Sequence, residues 1–582
     1  MRLYQLFALA TIAAQASAAA KTTVKTQLNG WYKCSDYTFS DEGSSDGQYA
    51  ECATFIVPLC YPGICKTPHF ADPTIDVFVK RMLATNADPK TATNAWLLQG
   101  GPGFSSSSLE ASMVSLFTQL DGTANIYTMD YRGVGRSTFL DCVAAQATTS
   151  GSPNGREFDP TEVPACAQEL QNKYGDLAAF SVTSAATDLV TFMSKYTSAA
   201  NTIVYGTSYG TVVVERVIHL NPQHVVGYVL DGIATTSGAP IDKTMYVSTW
   251  DTDFGEVGDR FLELCSEDAS CNSRFKKPNT LRKTLTGLLA DFDKNPNSTC
   301  AAIISSLNPL GDMAPSFTLR STLGTFLMDA EQRKFIPPIV YRLNRCDKRD
   351  VEVLTNFVSS FRMTTSSEGQ DDAFYSPLLY YLINFSEGWE TPTPLMAEME
   401  KRFTSKRIAS GGYATVPLYC AFSKEKSKAC DEFNVGNYTA HSITYKRDEY
   451  WNKAAVVPRQ ASVLLLSSKL DAQTPHKYAE YLLAALDGNQ KELVTFNTST
   501  HGAISWTPMD SGSEWSPTCG VKILASYVSN KGKLKGLDKS CVDEMPKFDL
   551  TLSTDSQTTF FGTDDAYDGA LNSSFAYYPP SA

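Results

Sequence analysis

The strongest chemical signal in the sequence is a serine held between two glycines, in the pentapeptide GTSYG at 206–210. A short apolar run ends at Gly206, and the helix-like segment 209–220 begins directly after Ser208. Two glycines permit the tight strand-to-helix turn that exposes a serine hydroxyl, because side chains there would clash with neighbouring backbone. The N–H groups at the start of the helix favour negative charge at the same point. The pattern therefore predicts Ser208 as a nucleophile for acyl transfer.

A glycine-rich turn lies upstream of this serine, in residues 100–103 (GGPG), where the apolar run 94–100 ends. Such a turn lets backbone N–H groups point into a site, and acyl transfer needs two of these donors for its oxyanion. We assign them to the N–H groups of Gly101 and Tyr209. An ordinary turn would explain GGPG alone, whereas its combination with the serine motif favours an oxyanion site.

A serine hydroxyl needs a general base, and the six histidines of the chain make the search short. His501 is favoured because it lies in a loop just after the last predicted strand, from which it can reach a neighbouring strand end. Gly502 keeps that loop compact. The other histidines lie ahead of the predicted sheet, near helix ends or in the region between its two halves: His69, His219, His224, His441 and His476.

The third member of such a site is a carboxylate that holds the imidazole tautomer and stabilises the imidazolium. Asp471 follows the apolar run 461–468 and precedes a helix that begins near Pro475, so we expect it at a strand end. Asp231, at the end of the run 225–232, is the rival. Asp471 gives the chain order serine, acid, histidine, which is the order expected of the α/β-hydrolase fold.

These residues need elements that bring distant strand ends together, and the chain has two blocks in which short apolar runs alternate with helical patterns. Such alternation builds a mostly parallel, twisted sheet flanked by helices, so the expected class is α/β with the α/β-hydrolase arrangement. The predicted strands are residues 75–83, 94–100, 125–131, 201–206, 225–232, 461–468 and 491–497, and the clearest predicted helices are 183–196, 209–220 and 475–486.

Between the two blocks the alternation fades, and helix-like segments, proline-containing turns and aromatic residues take its place. We interpret this stretch as a largely helical cap inserted into one core. The predicted organisation is a signal peptide at 1–20, a first core part at 21–233, the cap at 234–457, a second core part at 458–546 and a loosely held polar tail at 547–582.

Composition narrows the class of protein further. The chain has 582 residues, of which 43% are hydrophobic and 19% charged, with a net charge of −12. These fractions exclude a disordered chain, and the acidic balance argues against nucleic acid and anionic membranes as partners. The 14 cysteines are never spaced C-x-x-C, which favours disulfides over a zinc site. Nearness in sequence suggests the pairs Cys265–Cys271 and Cys420–Cys430.

The first residues predict export from the cell. Arg2, an apolar run over 3–14 and small residues at 16–18 are typical of a secretory signal peptide. A membrane anchor is the alternative, but the run is short and contains Gln5. We therefore expect a secreted, extracellular protein. Five N-x-S/T sequons are candidate glycan sites on that route: Asn297, Asn384, Asn437, Asn497 and Asn572.

Five motifs together resemble the prolyl aminopeptidase and tripeptidyl aminopeptidase group of α/β-hydrolases: GGPG, DYRGVGRS (130–137), GTSYGT (206–211), SSKLDAQTP (467–475) and STHG (499–502). The resemblance implies the triad Ser208, Asp471 and His501, and an exopeptidase whose cap closes over a peptide with a free amino terminus. Segments of one to three residues would be released. Prolyl aminopeptidases usually have His before GGPG, whereas this chain has Gln99, which speaks against strict proline specificity.

The free amine of such a substrate needs an acidic partner, and the cap segment NFSEGWE offers Glu387 and Glu390 beside Trp389. An ammonium would favour a carboxylate partly shielded from water, while plain surface glutamates are the alternative. No metal or organic cofactor is expected, because serine, histidine and aspartate suffice for hydrolysis. Two other functions stay open: a secreted carboxylesterase or lipase, and a noncatalytic binding protein on the same scaffold.

Overall fold

One β-sheet runs through the chain and carries helices on both of its faces. The computed structural model describes residues 27–39, 49–142, 158–198, 200–235, 237–308, 313–365, 369–509 and 516–575. The predicted signal peptide at 1–20 lies outside these residues.

Ten strands form this sheet in the described part of the chain, in the order β1-β3-β4-β6-β5-β7-β8-β9-β10, with β2 paired to β3. They are β1 (Gln27–Leu28), β2 (Tyr32–Cys34), β3 (Ala50–Pro58), β4 (Thr74–Met82), β5 (Asn94–Leu98), β6 (Asn125–Met129), β7 (Thr202–Thr207), β8 (Val225–Asp231), β9 (Ser462–Ser468) and β10 (Lys491–Phe496). Every pair from β6 through β10 is parallel, and the pairs from β1 to β6 are antiparallel. The mostly parallel sheet is therefore confirmed, while β1, β2 and β3 had no counterpart among the predicted strands.

The helices cover the sheet and build the inserted region. In chain order they are α1 (Glu110–Gln119), α2 (Val163–Lys173), α3 (Val182–Tyr196), α4 (Tyr209–Leu220), α5 (Trp250–Leu264), α6 (Ala269–Arg274), α7 (Leu281–Lys294), α8 (Thr299–Ser305), α9 (Pro315–Met328), α10 (Ile336–Arg345), α11 (Lys348–Thr365), α12 (Pro377–Glu387), α13 (Met396–Thr404), α14 (Val416–Ser423), α15 (Lys428–Asp431), α16 (His476–Ala485), α17 (Ala503–Trp506), α18 (Cys519–Ser529), α19 (Cys541–Glu544) and α20 (Thr554–Ser556). All of these helices except α20 contribute buried apolar residues to one of three hydrophobic clusters.

The central strands are apolar along their whole length because both faces of the sheet are covered. Strands β5, β6 and β9 are buried at every residue. Successive residues of β5 point to opposite faces: Trp96 packs in one cluster with α2, α3, α4 and α16, and Leu97 packs in another with α1, α17 and α18. This layering, with the strand order above, is the α/β-hydrolase fold.

The insertion between β8 and β9 is helical and packs in two ways. Helices α12 and α14 contribute buried residues such as Leu382 and Phe422 to the cluster shared with the sheet. Helices α5 to α11 form a separate hydrophobic cluster, here called the cap cluster, around Phe326 and Phe357. One part of the insertion therefore sits against the core, and the other has its own interior.

The C-terminal segment differs from the predicted loose tail. Leu550 and Phe561 are buried in the cap cluster, at 1% and 0% exposure. The guanidinium of Arg342, on α10, donates hydrogen bonds to the carbonyl oxygens of Ala566 at 2.6 Å and Gly569 at 2.8 Å. The segment is polar in composition but is held by a few apolar anchors and by a buried cation that bonds its backbone.

Seven disulfides connect the described cysteines: Cys34–Cys52, Cys60–Cys65, Cys142–Cys166, Cys265–Cys271, Cys300–Cys346, Cys420–Cys430 and Cys519–Cys541. The two pairs suggested by nearness in sequence are confirmed. Seven disulfides fit an extracellular protein, since reducing compartments keep thiols free. Among the helices that are described, none has the length and apolar character needed to cross a bilayer.

Candidate active site

The strand-to-helix turn at Ser208 has the strained backbone expected of an exposed nucleophile. Ser208 lies between β7 and α4 with φ 55° and ψ −125°, a conformation that costs a non-glycine residue about 1–3 kcal/mol. The glycines on either side leave the room that the turn requires. A Cβ atom on Gly206 would lie 2.4 Å from the carbonyl oxygen of Gly210, and one on Gly210 would lie 2.5 Å from the carbonyl oxygen of Leu98.

The glycine-rich turn after β5 packs directly against this serine. A Cβ atom on Gly100 would lie 2.7 Å from the Cβ of Ser208, so only glycine allows the approach. Gly101 and Tyr209 line one cavity together with Ser208. Among the described residues, neither the N–H of Gly101 nor that of Tyr209 donates a hydrogen bond to another protein group. Both N–H groups are therefore available to an oxygen atom bound beside Ser208.

The side chains of Asp471 and His501 form a hydrogen-bonded pair. Asp471 Oδ2 lies 2.8 Å from His501 Nδ1, and Asp471 is only 1% exposed. The turn after β9 fixes the carboxylate, because the backbone N–H groups of Gln473 and Thr474 donate to Oδ1 at 2.9 Å each. The hydroxyl of Thr474 lies 2.7 Å from Oδ2 and 3.0 Å from His501 Nδ1. These contacts hold Nδ1 of the imidazole, whereas Nε2 makes no hydrogen bond to any residue that the structure describes.

The electrostatics of this pair favour the protonated imidazole. Burial by itself lowers the pKa of His501. Attraction to Asp471, the hydrogen bond with it and the charge of Asp231 more than offset this, so the pKa of His501 is raised above its usual 6.5. A histidine with a raised pKa is a stronger proton acceptor, as a general base requires.

The end of β8 brings Ser208 and His501 to one place. The N–H of Ser208 donates to the carbonyl oxygen of Asp231 at 2.9 Å. The next residue is Gly232, where a Cβ atom would lie 2.9 Å from Cε1 of His501. The imidazole thus packs on the strand end to which the serine backbone is bonded. In the described part of the chain no direct hydrogen bond joins Ser208 Oγ to the imidazole, and such contacts often tighten only with substrate.

Asp231, the rival acid, takes a different position. Its carboxylate accepts hydrogen bonds from the backbone N–H groups of Ala503 at 2.7 Å and Ile504 at 2.9 Å, and from the Tyr205 hydroxyl at 2.8 Å. These bonds anchor the start of α17 immediately after His501. The structure therefore brings Asp471, rather than Asp231, to the imidazole nitrogen.

The chain was compared with protein-family models, with curated proteins and with solved structures. No protein-family model matches the sequence, and no curated protein matches it. Solved structures do match. An esterase from Exiguobacterium antarcticum is 12% identical, with a TM-score of 0.29, covering 79% of this chain and 98% of that one. The proline iminopeptidase of Mycobacterium smegmatis is 12% identical, with a TM-score of 0.28, covering 80% and 98%. A bromoperoxidase from Bacillus anthracis is 12% identical, with a TM-score of 0.27, covering 74% and 90%.

The cavity beside Ser208 has a volume of about 990 Å³, including its open mouth. More than half of the residues that line it come from the insertion 234–457, among them Trp250, Ile383 and Trp451. The floor comes from the core, through Ser208 and α4. The insertion therefore decides the shape of the space in front of the serine.

Of the three cap residues predicted to bind substrate, the structure brings only Glu387 to this cavity. Its Oε2 accepts from Arg216 at 3.0 Å and its Oε1 from the Tyr445 hydroxyl at 2.7 Å. Trp389 is 0% exposed and stacks on Tyr419 in the core, at 4.9 Å between ring centroids.

Glu390 also lies apart from the cavity lining. Its carboxylate accepts from Arg402 at 2.5 Å and from Ser248 at 2.8 Å. Both Trp389 and Glu390 thus differ from the expectation, because the chain turns after Gly388 and places them in structural contacts instead.

Three residues of the site escaped the sequence analysis: Thr474, Glu215 and Arg216. Thr474 follows Asp471 by three residues, a spacing at which an aspartate often bonds the next turn. Glu215 and Arg216 lie on α4, which reads as an apolar helix packed on the sheet. Two adjacent charged residues in such an apolar helix could have indicated a functional site, because charges are rarely buried without a partner.

Proposed function

We propose that this protein is a secreted serine exopeptidase that removes short N-terminal segments from peptides with a free amino terminus. The observation that carries the proposal is the strained Ser208, packed at the same strand end as the His501–Asp471 pair and facing a cavity with acidic side chains. Export is supported by the seven disulfides and by the character of residues 1–20.

In the proposed reaction, Ser208 Oγ attacks the scissile carbonyl carbon while His501 Nε2 takes the hydroxyl proton. Asp471, on Nδ1, stabilises the imidazolium that forms. The N–H groups of Gly101 and Tyr209 bind the oxyanion. His501 then gives its proton to the leaving amine, which departs and leaves an acyl-enzyme. Water attacks the acyl group, with His501 again as base, and the released carboxylic acid restores Ser208.

Preference for a free amino terminus is supported by the negative charge in the wall of the cavity. Glu387 lies there, only partly neutralised by Arg216, which also pairs with Asp448 at 2.8 Å. The cap closes one side of the cavity, which favours chain ends over the middle of a folded protein. An esterase would use the same serine, so the class of substrate depends on the cap.

The decisive experiment compares wild type with Ser208→Ala. Wild type is expected to hydrolyse unblocked peptidyl arylamides and to be labelled by a fluorophosphonate probe. Ser208→Ala should lose both, with activity reduced at least about 10³-fold. Ser194→Ala, at an exposed serine of α3, is the matched control. Hydrolysis that persists in Ser208→Ala would refute the proposed nucleophile.

Three substrates separate the remaining functions: a free-amine peptidyl arylamide, its N-acetylated form and a simple aryl ester. An exopeptidase cleaves the first much faster than the second. A carboxylesterase cleaves only the ester. A noncatalytic binding protein cleaves none of them and is not labelled by the probe.

A further inference from the structure

Glu215 is a buried carboxylate in the wall of the cavity that the reaction proposed above does not use. It lies on α4 and is 6% exposed. The hydroxyl of Thr235 donates to its Oε2. Its Oε1 has no hydrogen-bond partner among the described residues.

The guanidinium of Arg216, which adjoins Glu215 in sequence, forms ion pairs with other carboxylates. Arg216 bonds Glu387 at 3.0 Å and Asp448 at 2.8 Å, so one guanidinium already serves two carboxylates. His219, one turn further along α4, also lines the cavity, but burial lowers its pKa and so favours the neutral imidazole. Within the described residues, Glu215 forms no ion pair. The cavity wall therefore carries an excess of negative charge.

The burial of Glu215 disfavours the ionised form of its carboxyl group. Burial raises its pKa to about 6, with the hydroxyl groups of Ser237 and Thr235 and the charge of Arg216 acting in the opposite direction. A buried carboxylate without a counter-ion is unfavourable unless a ligand supplies the positive charge. A primary ammonium, which has three donors, matches this need.

We propose that Glu215 binds the primary ammonium of the substrate, namely its free N-terminus, and that its distance from Ser208 measures the length of the released segment. The inference rests on the proposed function, since it takes Ser208 as the nucleophile. In this proposal Glu215 binds the ammonium directly and is called the anchor, while Glu387 adds negative charge to the wall of the same cavity.

The length follows from the geometry of α4. Ser208 immediately precedes α4 and Glu215 is the seventh residue of that helix, so their backbones lie about 10 Å apart along its axis. Both residues line the same cavity. An extended peptide advances about 3.3–3.6 Å per residue. Two or three residues therefore fit between an ammonium at Glu215 and a carbonyl at Ser208, whereas a single residue is too short.

The test of the anchor uses Glu215→Gln, which keeps the shape of the side chain and removes its charge. The measured quantity is the ratio of KM for an N-acetylated trialanyl arylamide to KM for the free-amine form. This ratio should fall at least about tenfold in Glu215→Gln, as for the loss of one charge-assisted hydrogen bond. Glu400→Gln, at an exposed glutamate of α13, removes the same charge and should not change the ratio.

A second substrate identifies the source of the ammonium. An N-acetylated peptide with lysine as its first residue carries the same group on a side chain. Weak binding of this peptide supports recognition of the N-terminus, whereas binding equal to that of the free-amine peptide would overturn it. Glu215→Asp retains the charge on a side chain that is one methylene shorter, so it should recover part of the free-amine preference. This recovery would show that the effect of Glu215→Gln comes from the lost charge rather than from misfolding.

The measurement of length compares alanyl, dialanyl and trialanyl arylamides with wild type. The kcat/KM for the dialanyl or trialanyl substrate should exceed that for the alanyl substrate at least about tenfold, and this difference should shrink in Glu215→Gln. A best substrate with one residue, or an unchanged ratio in Glu215→Gln, would overturn the anchor while leaving Ser208 as nucleophile. Absence of hydrolysis and of probe labelling in wild type would instead refute the proposed function.

Discussion

His501 is held by contacts that also tune its proton affinity. Asp471 fixes the Nδ1 edge, the Thr474 hydroxyl lies against both groups, and Gly232 leaves room for the ring. Because Asp471 is almost fully buried and bonded by two backbone N–H groups, its charge acts on the imidazole with little screening by water. The same contacts that position the ring therefore raise its pKa.

The pH profile provides a prediction for this pair. A general base must be unprotonated, so kcat/KM should fall on the acid side as His501 takes up a proton. Because the pKa of His501 is raised, the midpoint of this fall should lie above pH 6.5 in wild type. Asp471→Asn removes the attraction that raises the pKa, so the midpoint should move to lower pH while kcat falls about 10³–10⁴-fold. An acid limb that keeps its position in Asp471→Asn would contradict this assignment.

At the scale of elements, the turn from β7 into α4 depends on close backbone contacts. Gly210, in the first turn of α4, lies against the carbonyl oxygens of Leu98 and Gln99, where a Cβ atom would be at 2.5 and 2.9 Å. These atoms belong to the end of β5 and the turn that follows, so they have little freedom to move. The proposed nucleophile and the proposed oxyanion donors are thus positioned by one contact between two neighbouring strand ends.

Gly210→Ala tests this contact. We expect the variant to lose at least about tenfold in kcat/KM and to melt at a lower temperature, because backbone must shift to admit the methyl group. The matched control is Gly287→Ala on α7, where a Cβ atom would meet nothing within 4 Å. That substitution should leave activity unchanged and stabilise the protein by about 0.5–1 kcal/mol through helix propensity. Equal behaviour of the two variants in thermal melts and kinetics would refute the contact argument.

At the scale of the whole molecule, the C-terminal segment completes the cap cluster. Arg342 and Asp350 are both 0% exposed and form an ion pair at 3.1 Å, and Arg342 also bonds the backbone around Ala566. The end of the chain thereby stabilises an insertion that begins about 300 residues earlier in sequence. The cap that shapes the cavity therefore depends on residues that lie far from it in sequence.

Arg342→Met is expected to destabilise the cap strongly. The substitution leaves Arg345 as the single ion-pair partner of the buried Asp350 among the described residues and frees the backbone near Ala566, at a cost of about 3–5 kcal/mol. Limited proteolysis should then cut the C-terminal segment, and the melting temperature should fall. Arg349→Met, at a residue whose side chain is 56% exposed, should change stability by less than about 0.5 kcal/mol. Resistance of Arg342→Met to proteolysis would show that the segment is held by its apolar anchors alone.

The sequence by itself determined the features whose causes are local. The glycines of 206–210, the apolar runs of the central strands and the alternation of strand and helix predicted the class of fold, because each follows from contacts within a short stretch. Asp471 and His501 were predicted from strand-end positions, since parallel strands bring their carboxyl ends to one edge. The triad roles themselves stay predictions for the experiments above.

Only the tertiary structure decided what depends on contacts between distant segments. It placed Trp389 in the core and paired Glu390 with Arg402, although both adjoin Glu387 in sequence. It brought the polar C-terminal segment onto the cap cluster and, within the part of the chain that is described, left one carboxylate oxygen of Glu215 without a hydrogen-bond partner. Burial and ion pairing of a side chain are set by whichever residues fold against it, and a single sequence does not say which residues those are.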